Sequence, residues 1–243
     1  MKRMSEIRKY ICLNRNEFTV LLSAAAIDRL MCFEGMGRSR ISQEAYNRTI
    51  FALYKRNLIR SVKENSFAVD EEIAAYLTVM KNSRKVIQIY SAKEELGDYC
   101  IYFFGDRCVL ATPGTRRDEY IKLTMVFRSD LVNVLMDNGI LPEIRIPESL
   151  AADQQMLEPI FPEVSDLMTS ESLIDSSRLK NSENVEVMMI LYSPEGREEA
   201  FAAVVWQPIQ DKLMTYRPHR MKWKIYSRDE MEAQVQNWME EKE

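Results

Sequence analysis

Short strand-like runs joined by tight turns are the feature of this sequence that most limits its fold. Only Gly105 and Asp106 separate two of these runs, and a two-residue connection joins antiparallel strands. Apolar and β-branched residues recur in four runs: Val86–Tyr90, Tyr99–Phe104, Arg107–Thr112 and Tyr120–Phe127. The pattern therefore predicts an antiparallel sheet in this part of the chain.

A second series of runs follows, and helical patterns flank both series. Its strands are predicted at Val185–Tyr192, Ala200–Trp206, Lys212–Tyr216 and Met221–Tyr226. Helices are predicted from Asp70, after Ser129, in the serine-rich stretch 165–182, and after Ser227. We therefore expect an α+β fold with two pseudo-repeated helix–four-strand–helix units around a mostly antiparallel sheet.

The first 69 residues have a different pattern, which predicts a winged-helix-like segment. Asn14 and Glu17 have the spacing of a capping box, and apolar residues continue at helical intervals as far as Phe33. Ser42 can cap a second helix that ends near Asn57. A short strand pair follows, at 58–62 and 66–69.

Charge separates this segment from the rest of the chain. Residues 1–69 contain 13 Lys and Arg against 6 Asp and Glu, whereas residues 70–243 contain 20 against 31. Half of the prolines lie in 142–162, which we interpret as a linker. The expected organisation is a basic segment 1–69, a first α+β unit 70–141, the linker 142–162 and a second α+β unit 163–243, together forming one compact body.

Composition argues against most catalytic chemistry and against a membrane protein. His219 is the only histidine, and no Walker A, GxGxxG, GxSxG or HExxH pattern occurs, so we expect no catalytic residues, cofactor or metal. The longest nearly apolar stretch, Val20–Ile27, is too short to cross a bilayer. The basic start is followed by charged residues rather than an apolar run, which favours a cytoplasmic protein.

The four cysteines support the same location. Cys12, Cys32, Cys100 and Cys108 form no CxxC pair, and we expect all four to be reduced thiols. If Gly105 and Asp106 form the turn, Cys100 opposes Ala111 rather than Cys108.

Two surfaces are candidates for binding. Strands Tyr99–Phe104 and Val185–Tyr192 are apolar on both sides and should be central, so an open sheet face must come from flanking strands. We expect Trp206 and Tyr216 to border a partner site there. The other candidate is a basic face suited to phosphates, comprising Arg48, Lys55, Arg56 and Arg60.

Nucleic-acid binding at the basic face is the weaker expectation. A helix-turn-helix needs a supporting helix just before the recognition helix, but 33–40 is interrupted by glycines. The acidic body would also repel DNA.

The chain resembles the EspG-type chaperones of type VII (ESX) secretion. The resemblance is carried by the helix from Glu17-Phe18, the 53–59 sequence LYKRNLI, Phe67-Ala68-Val69, the helix from Asp70, and the strands from Val86 to Phe127. It implies a pseudo-twofold α+β fold that binds helical secretion substrates in the cytosol.

The leading hypothesis is thus a non-enzymatic cytoplasmic binding protein, a secretion-linked chaperone or adaptor for a helical-hairpin protein. The alternative is a winged-helix transcription regulator with an acidic sensing domain. The sequence leaves the oligomeric state and the partner's identity open.

Overall fold

The protein has an α+β fold with mostly antiparallel strand pairing, as expected from its sequence. The computed structural model describes residues 10–33, 41–63, 66–91, 98–112, 120–142, 176, 185–207, 212–217 and 222–240. The chain divides into two compact units, one of Met1–Val86 with Tyr99–Arg128 and the other of Ile87–Asp98 with Ser129–Glu243. Each unit therefore contains segments that are distant in sequence.

Five α-helices lie within the described residues: α1 (Arg15–Ala24), α2 (Gln43–Lys55), α3 (Glu71–Asn82), α4 (Leu131–Asp137) and α5 (Arg228–Met239). A 3-10 helix, Arg128–Asp130, precedes α4. None of the described helices combines the length and apolar composition that crossing a bilayer requires.

The first unit contains a four-stranded antiparallel arrangement and a separate hairpin. Its strands are β1 (Tyr10–Asn14), β2 (Ile59–Lys63), β3 (Ser66–Val69), β5 (Tyr99–Phe104), β6 (Arg107–Thr112) and β7 (Tyr120–Phe127). The order in the larger arrangement is β1-β7-β6-β5, and β2 pairs with β3 alone. The predicted turn at Gly105 and Asp106 is confirmed, because Cys100 pairs with Ala111 and Phe103 with Cys108.

One apolar core holds the first unit together. Leu13 of β1, Phe18 of α1, Leu53 of α2, Leu77 of α3 and Val109 of β6 are all buried in it. Helices α1 and α3 begin as predicted, with a capping box between Asn14 and Glu17 and a cap at Asp70. Burying such side chains is the main stabilising contribution to a unit of this size.

The second unit contains β4 (Val86–Ser91), β8 (Val185–Tyr192), β9 (Glu198–Gln207), β10 (Lys212–Arg217) and β11 (Lys222–Ile225), in the order β4-β8-β9-β10-β11. The β8–β9, β9–β10 and β10–β11 pairs are antiparallel. Met231, Val235 and Trp238 of α5 are buried, as their helical spacing predicts. The pseudo-twofold repeat and the winged-helix likeness stay predictions.

The first predicted helix is wrong in length, because α1 ends at Ala24 rather than continuing to Phe33. Ala26 adopts a left-handed conformation, with φ 54°, and the Ile27 amide donates to Leu22 O at 2.9 Å. This is the hydrogen-bond pattern of a Schellman motif, which usually carries glycine where this chain has Ala26. The sequence therefore contains no residue that marks this helix end.

Two further expectations are also wrong. Ser129 does not cap α4, because it lies inside the 3-10 helix and Asp130 is the N-cap residue. Cys32 and Cys100 are not free thiols, because they form a disulfide across a sequence separation of 68 residues. A bond between such distant residues depends on tertiary packing, which spacing does not reveal.

Several expectations lie outside the described residues. These are the linker 142–162 apart from Pro142, His219, and the serine-rich stretch apart from Ser176.

Candidate functional site

Helix α2 presents aromatic side chains to solvent, whereas helices that pack against a core usually bury such side chains. Ser42 caps the helix by accepting a hydrogen bond from the Ala45 amide at 3.3 Å. Thr49 and Leu53 form its buried side. Phe51 and Tyr54 on other sides of the helix are 60% and 55% exposed. Because aromatic residues occur around more than one side of α2, the core cannot cover all of them.

These aromatic residues line a groove between α2 and the β2–β3 hairpin. The groove has a volume of about 500 Å³, which is within the usual range of ligand sites. Helix α2 contributes Gln43, Tyr46, Asn47, Ile50, Phe51 and Tyr54, and the hairpin contributes Ile59, Ser61, Ser66 and Phe67. We call these ten residues the α2 groove. Its wall is chiefly aromatic and aliphatic, with amide and hydroxyl groups interspersed.

Arg56 does not face the groove as a free cation, because it is bound to the start of α1. Its Nη1 donates to both carboxylate oxygens of Glu17, each at 2.8 Å, and its Nη2 donates to Cys12 O at 2.5 Å. Glu17 is 3% exposed and also accepts from the Asn14 amide at 2.9 Å. A buried carboxylate requires such a partner, so Arg56 has a structural role.

The other three residues of the predicted basic face are also engaged on the protein surface. Arg48 pairs with Glu44 one turn earlier on α2. The Lys55 ammonium lies 4.5 Å from the centre of the Phe51 ring, within the range of a cation–π contact. Arg60 lies 3.8 Å from a carboxylate oxygen of Glu71. None of the three is among the residues that line the α2 groove, and Arg60 alternates along β2 with Ile59 and Ser61, which do line it.

The predicted partner site at Trp206 and Tyr216 lies in the second unit. Trp206 is in β9 opposite Leu213, and Tyr216 is in β10 opposite Ala203. The two residues are therefore on adjacent strands but are not paired with each other. Their side chains are outside the described part of the structure, so the site stays a prediction.

Burial raises the pKa values of two groups, the Cys108 thiol and the Tyr226 hydroxyl, and so favours their neutral forms. Burial raises the pKa of the Cys108 thiol from its ordinary value near 9 to about 12, and Asp106 adds to the shift while Arg128 opposes it. Burial also raises the pKa of Tyr226 to about 12, and its hydroxyl donates to Pro142 O at 2.9 Å. A nucleophilic cysteine needs a lowered pKa, so Cys108 is suited to packing.

Metal ligands are not grouped in the part of the chain that can be described. Among those residues, no three His, Cys, Asp or Glu side chains come together to hold an ion.

Comparison of the chain with protein-family models and with curated proteins finds no match. The α2 groove therefore has to be interpreted from its own geometry.

Sequence reasoning missed this groove. The helical spacing of Tyr46, Ile50 and Leu53 places them on one face of α2, which is the pattern of a buried stripe. Leu53 is buried, but Ile50 is only partly buried and Tyr46 is 37% exposed. The available signal was the number of aromatic residues on α2, which exceeds what one buried stripe can hold.

Proposed function

We propose that this protein is a non-catalytic adaptor or chaperone that binds a helical segment of a partner protein in the α2 groove. The observation that carries the proposal is the exposure of Phe51 and Tyr54 beside a groove of about 500 Å³. Clustered exposed aromatic residues are typical of binding surfaces and are costly to leave in water without a use.

The length and shape of the groove favour a helix as its occupant. Helix α2 has 13 residues and is therefore about 20 Å long. A partner helix of three to four turns matches that length and could place apolar residues at i, i+3, i+4 and i+7 against the aromatic wall. The hydroxyl and amide groups of the groove suit the polar edge of such a helix.

Charge favours a partner helix with acidic flanks. The Lys55 ammonium lies 4.5 Å from the centre of the Phe51 ring, and Phe51 lines the groove. Residues 1–69 as a whole carry 13 basic against 6 acidic residues. Opposite charges around an apolar contact speed association and select the partner.

The setting of this activity is proposed from the resemblance stated above. EspG-type chaperones bind helical secretion substrates in the cytosol, and we propose a helical-hairpin secretion substrate as the partner here.

The experiment uses a synthetic peptide of 18 residues with leucine and phenylalanine at helical spacing and glutamate on both flanks. Fluorescence anisotropy at about 0.15 M salt should give saturable binding to the full chain in the micromolar range. Phe51→Ser and Tyr54→Ser should each weaken binding at least about tenfold, since central aromatic anchors dominate such contacts.

Matched controls make this result specific. Phe104→Ser removes an aromatic residue that is 44% exposed outside the groove, and it should leave the affinity unchanged. A peptide with lysine in place of glutamate should bind more weakly. Equal affinity of wild type and Phe51→Ser, or a homodimer that Phe51→Ser dissociates, would contradict the proposal.

A further inference from the structure

A disulfide joins the connection between α1 and α2 to the sheet of the first unit. Cys32 lies in that connection and Cys100 lies in β5, with their Cα atoms 6.6 Å apart. Cys100 is fully buried, whereas Cys32 is only partly buried. Cys32 is therefore the more accessible of the two bonded residues.

The backbone at Cys32 is held in a conformation that a cysteine rarely adopts. Its φ is 67°, in the left-handed region that favours glycine. Two interactions hold it there, the disulfide itself and a hydrogen bond donated by the Tyr102 hydroxyl to Met31 O. Strained residues of this kind persist only where their surroundings fix them, and they are frequent in switch regions.

The same core supports the disulfide and the α2 groove. Leu30 and Phe33, on either side of Cys32, are buried in it, and the Phe33 ring centre lies 5.0 Å from that of Phe18. Two residues of the α2 groove, Ile50 and Phe67, pack against this core. A change in the position of residues 27–33 would therefore disturb the core against which these groove residues pack.

We propose that the Cys32–Cys100 disulfide is a reversible latch that a dithiol reductant opens, loosening residues 27–33 and weakening binding in the α2 groove. A thiolate of the reductant attacks Cys32 Sγ and forms a mixed disulfide, and Cys100 leaves and takes up a proton. The second thiol of the reductant then displaces Cys32, which also takes up a proton. Two electrons pass to the protein, and the reductant becomes a disulfide.

The remaining described cysteines do not compete in this exchange. Cys108 pairs with Phe103 whereas Cys100 pairs with Ala111, so Cys100 and Cys108 occupy opposite faces of the β5–β6 ladder. Cys12 lies in β1, at the edge of the strand order. Opening of the latch therefore produces two thiols without disulfide shuffling. Cytosolic disulfides are usually transient or redox-sensing, so the latch fits the proposed setting.

The effect on binding rests on the proposed function, whereas the effect on residues 27–33 does not. Amide hydrogen exchange measures the second effect in the full chain without any partner. The Phe33 amide donates to Leu30 O at 3.1 Å, and the Ile140 amide, in the second unit, donates to Leu135 O at 2.8 Å. After treatment with dithiothreitol, exchange at Phe33 should become at least about tenfold faster, while exchange at Ile140 should not change.

A variant and the peptide assay complete the test. Cys32→Ser without reductant should reproduce the exchange of the reduced wild type, and Cys12→Ser should behave as the oxidised wild type. Unchanged exchange at Phe33, or equal acceleration at Phe33 and Ile140, would overturn the latch. If Phe33 responds but the acidic helical peptide binds neither form, the latch stands and the proposed function fails. If the peptide binds both forms equally, control of the groove by the latch is refuted.

Discussion

Arg56 and Glu17 join the end of α2 to the first turn of α1 through a charged contact of 2.8 Å. Glu17 has two further structural tasks, since it closes the capping box of α1 and is almost wholly buried. Arg56 also binds Cys12 O of β1. One guanidinium thus connects a strand and two helices.

Removal of this arginine should lower stability markedly. We expect Arg56→Ala to reduce the free energy of unfolding by about 2 kcal/mol, because Glu17 would remain buried without its partner, although the partial exposure of Arg56 moderates the loss. Urea unfolding at pH 7 measures the change. Arg48→Ala breaks an exposed pair and should cost less than about 0.5 kcal/mol. Equal losses in the two variants would contradict the role assigned to Arg56.

DNA binding should be absent or unselective. Arg56 binds Glu17, and Arg48 and Arg60 each contact a carboxylate, so the predicted basic face has little charge left for phosphates. Mobility-shift assays at about 0.15 M salt should show no sequence-specific complex. A selective complex that Arg48→Ala and Lys55→Ala abolish would instead support the transcription-regulator alternative.

The disulfide should make a large contribution to stability. The bond joins residues with a sequence separation of 68. In the chain-entropy model, a cross-link of this length lowers the entropy of the unfolded chain and so stabilises the folded state by about 4 kcal/mol. Cys32→Ser should therefore unfold at clearly lower urea concentration than wild type under oxidising conditions. With excess dithiothreitol the two proteins should have the same midpoint. Titration in denaturant without reductant should find two thiols, and four after reduction.

Stability should fall in alkaline solution because of Cys108. Its folded pKa of about 12 lies above the ordinary value near 9, so the folded state keeps a proton that the unfolded state loses. The stabilisation is complete below pH 9 and decreases between pH 9 and pH 12. Raising the pH from 8 to 10 should cost about 1 kcal/mol from this thiol. Cys108→Ala should reduce that pH dependence.

The turn between β5 and β6 should depend on glycine for backbone reasons alone. Gly105 has φ 61°, and a Cβ added there would have no atom within 4 Å. Gly105→Ala should therefore cost about 1 kcal/mol through its conformation rather than through a clash. Gly105→Asn should cost less, because asparagine tolerates the left-handed region. Thermal unfolding of both variants checks this order.

Local patterns predicted the elements whose signals are contained within a few residues. The Asn14–Glu17 capping box, the Gly105–Asp106 turn and the buried side of α5 are all found as expected. Strand β1 escaped prediction because five residues carry little periodicity and their partner, β7, is over one hundred residues away. The Cys32–Cys100 bond was not predicted either, because its two cysteines are also far apart in sequence.

The candidate site was predicted only in part. The sequence indicated α2 and its basic residues, but not that Arg56 would bind Glu17 or that Phe51 and Tyr54 would be exposed. Exposure depends on how many sides of a helix the core covers. That is a tertiary property, and a pattern of apolar spacing does not contain it.

The pairing of β1 with β7 limits how early β1 can fold during synthesis. Leu13 lies opposite Ile121, so β7 must emerge from the ribosome before β1 can pair with it. Until then Ile11 and Leu13, both buried in the finished unit, are open to water and to other chains. Nascent chains of intermediate length should consequently be targets for general chaperones and prone to aggregate. Slow translation before residue 120 would prolong that exposure, whereas fast translation would shorten it.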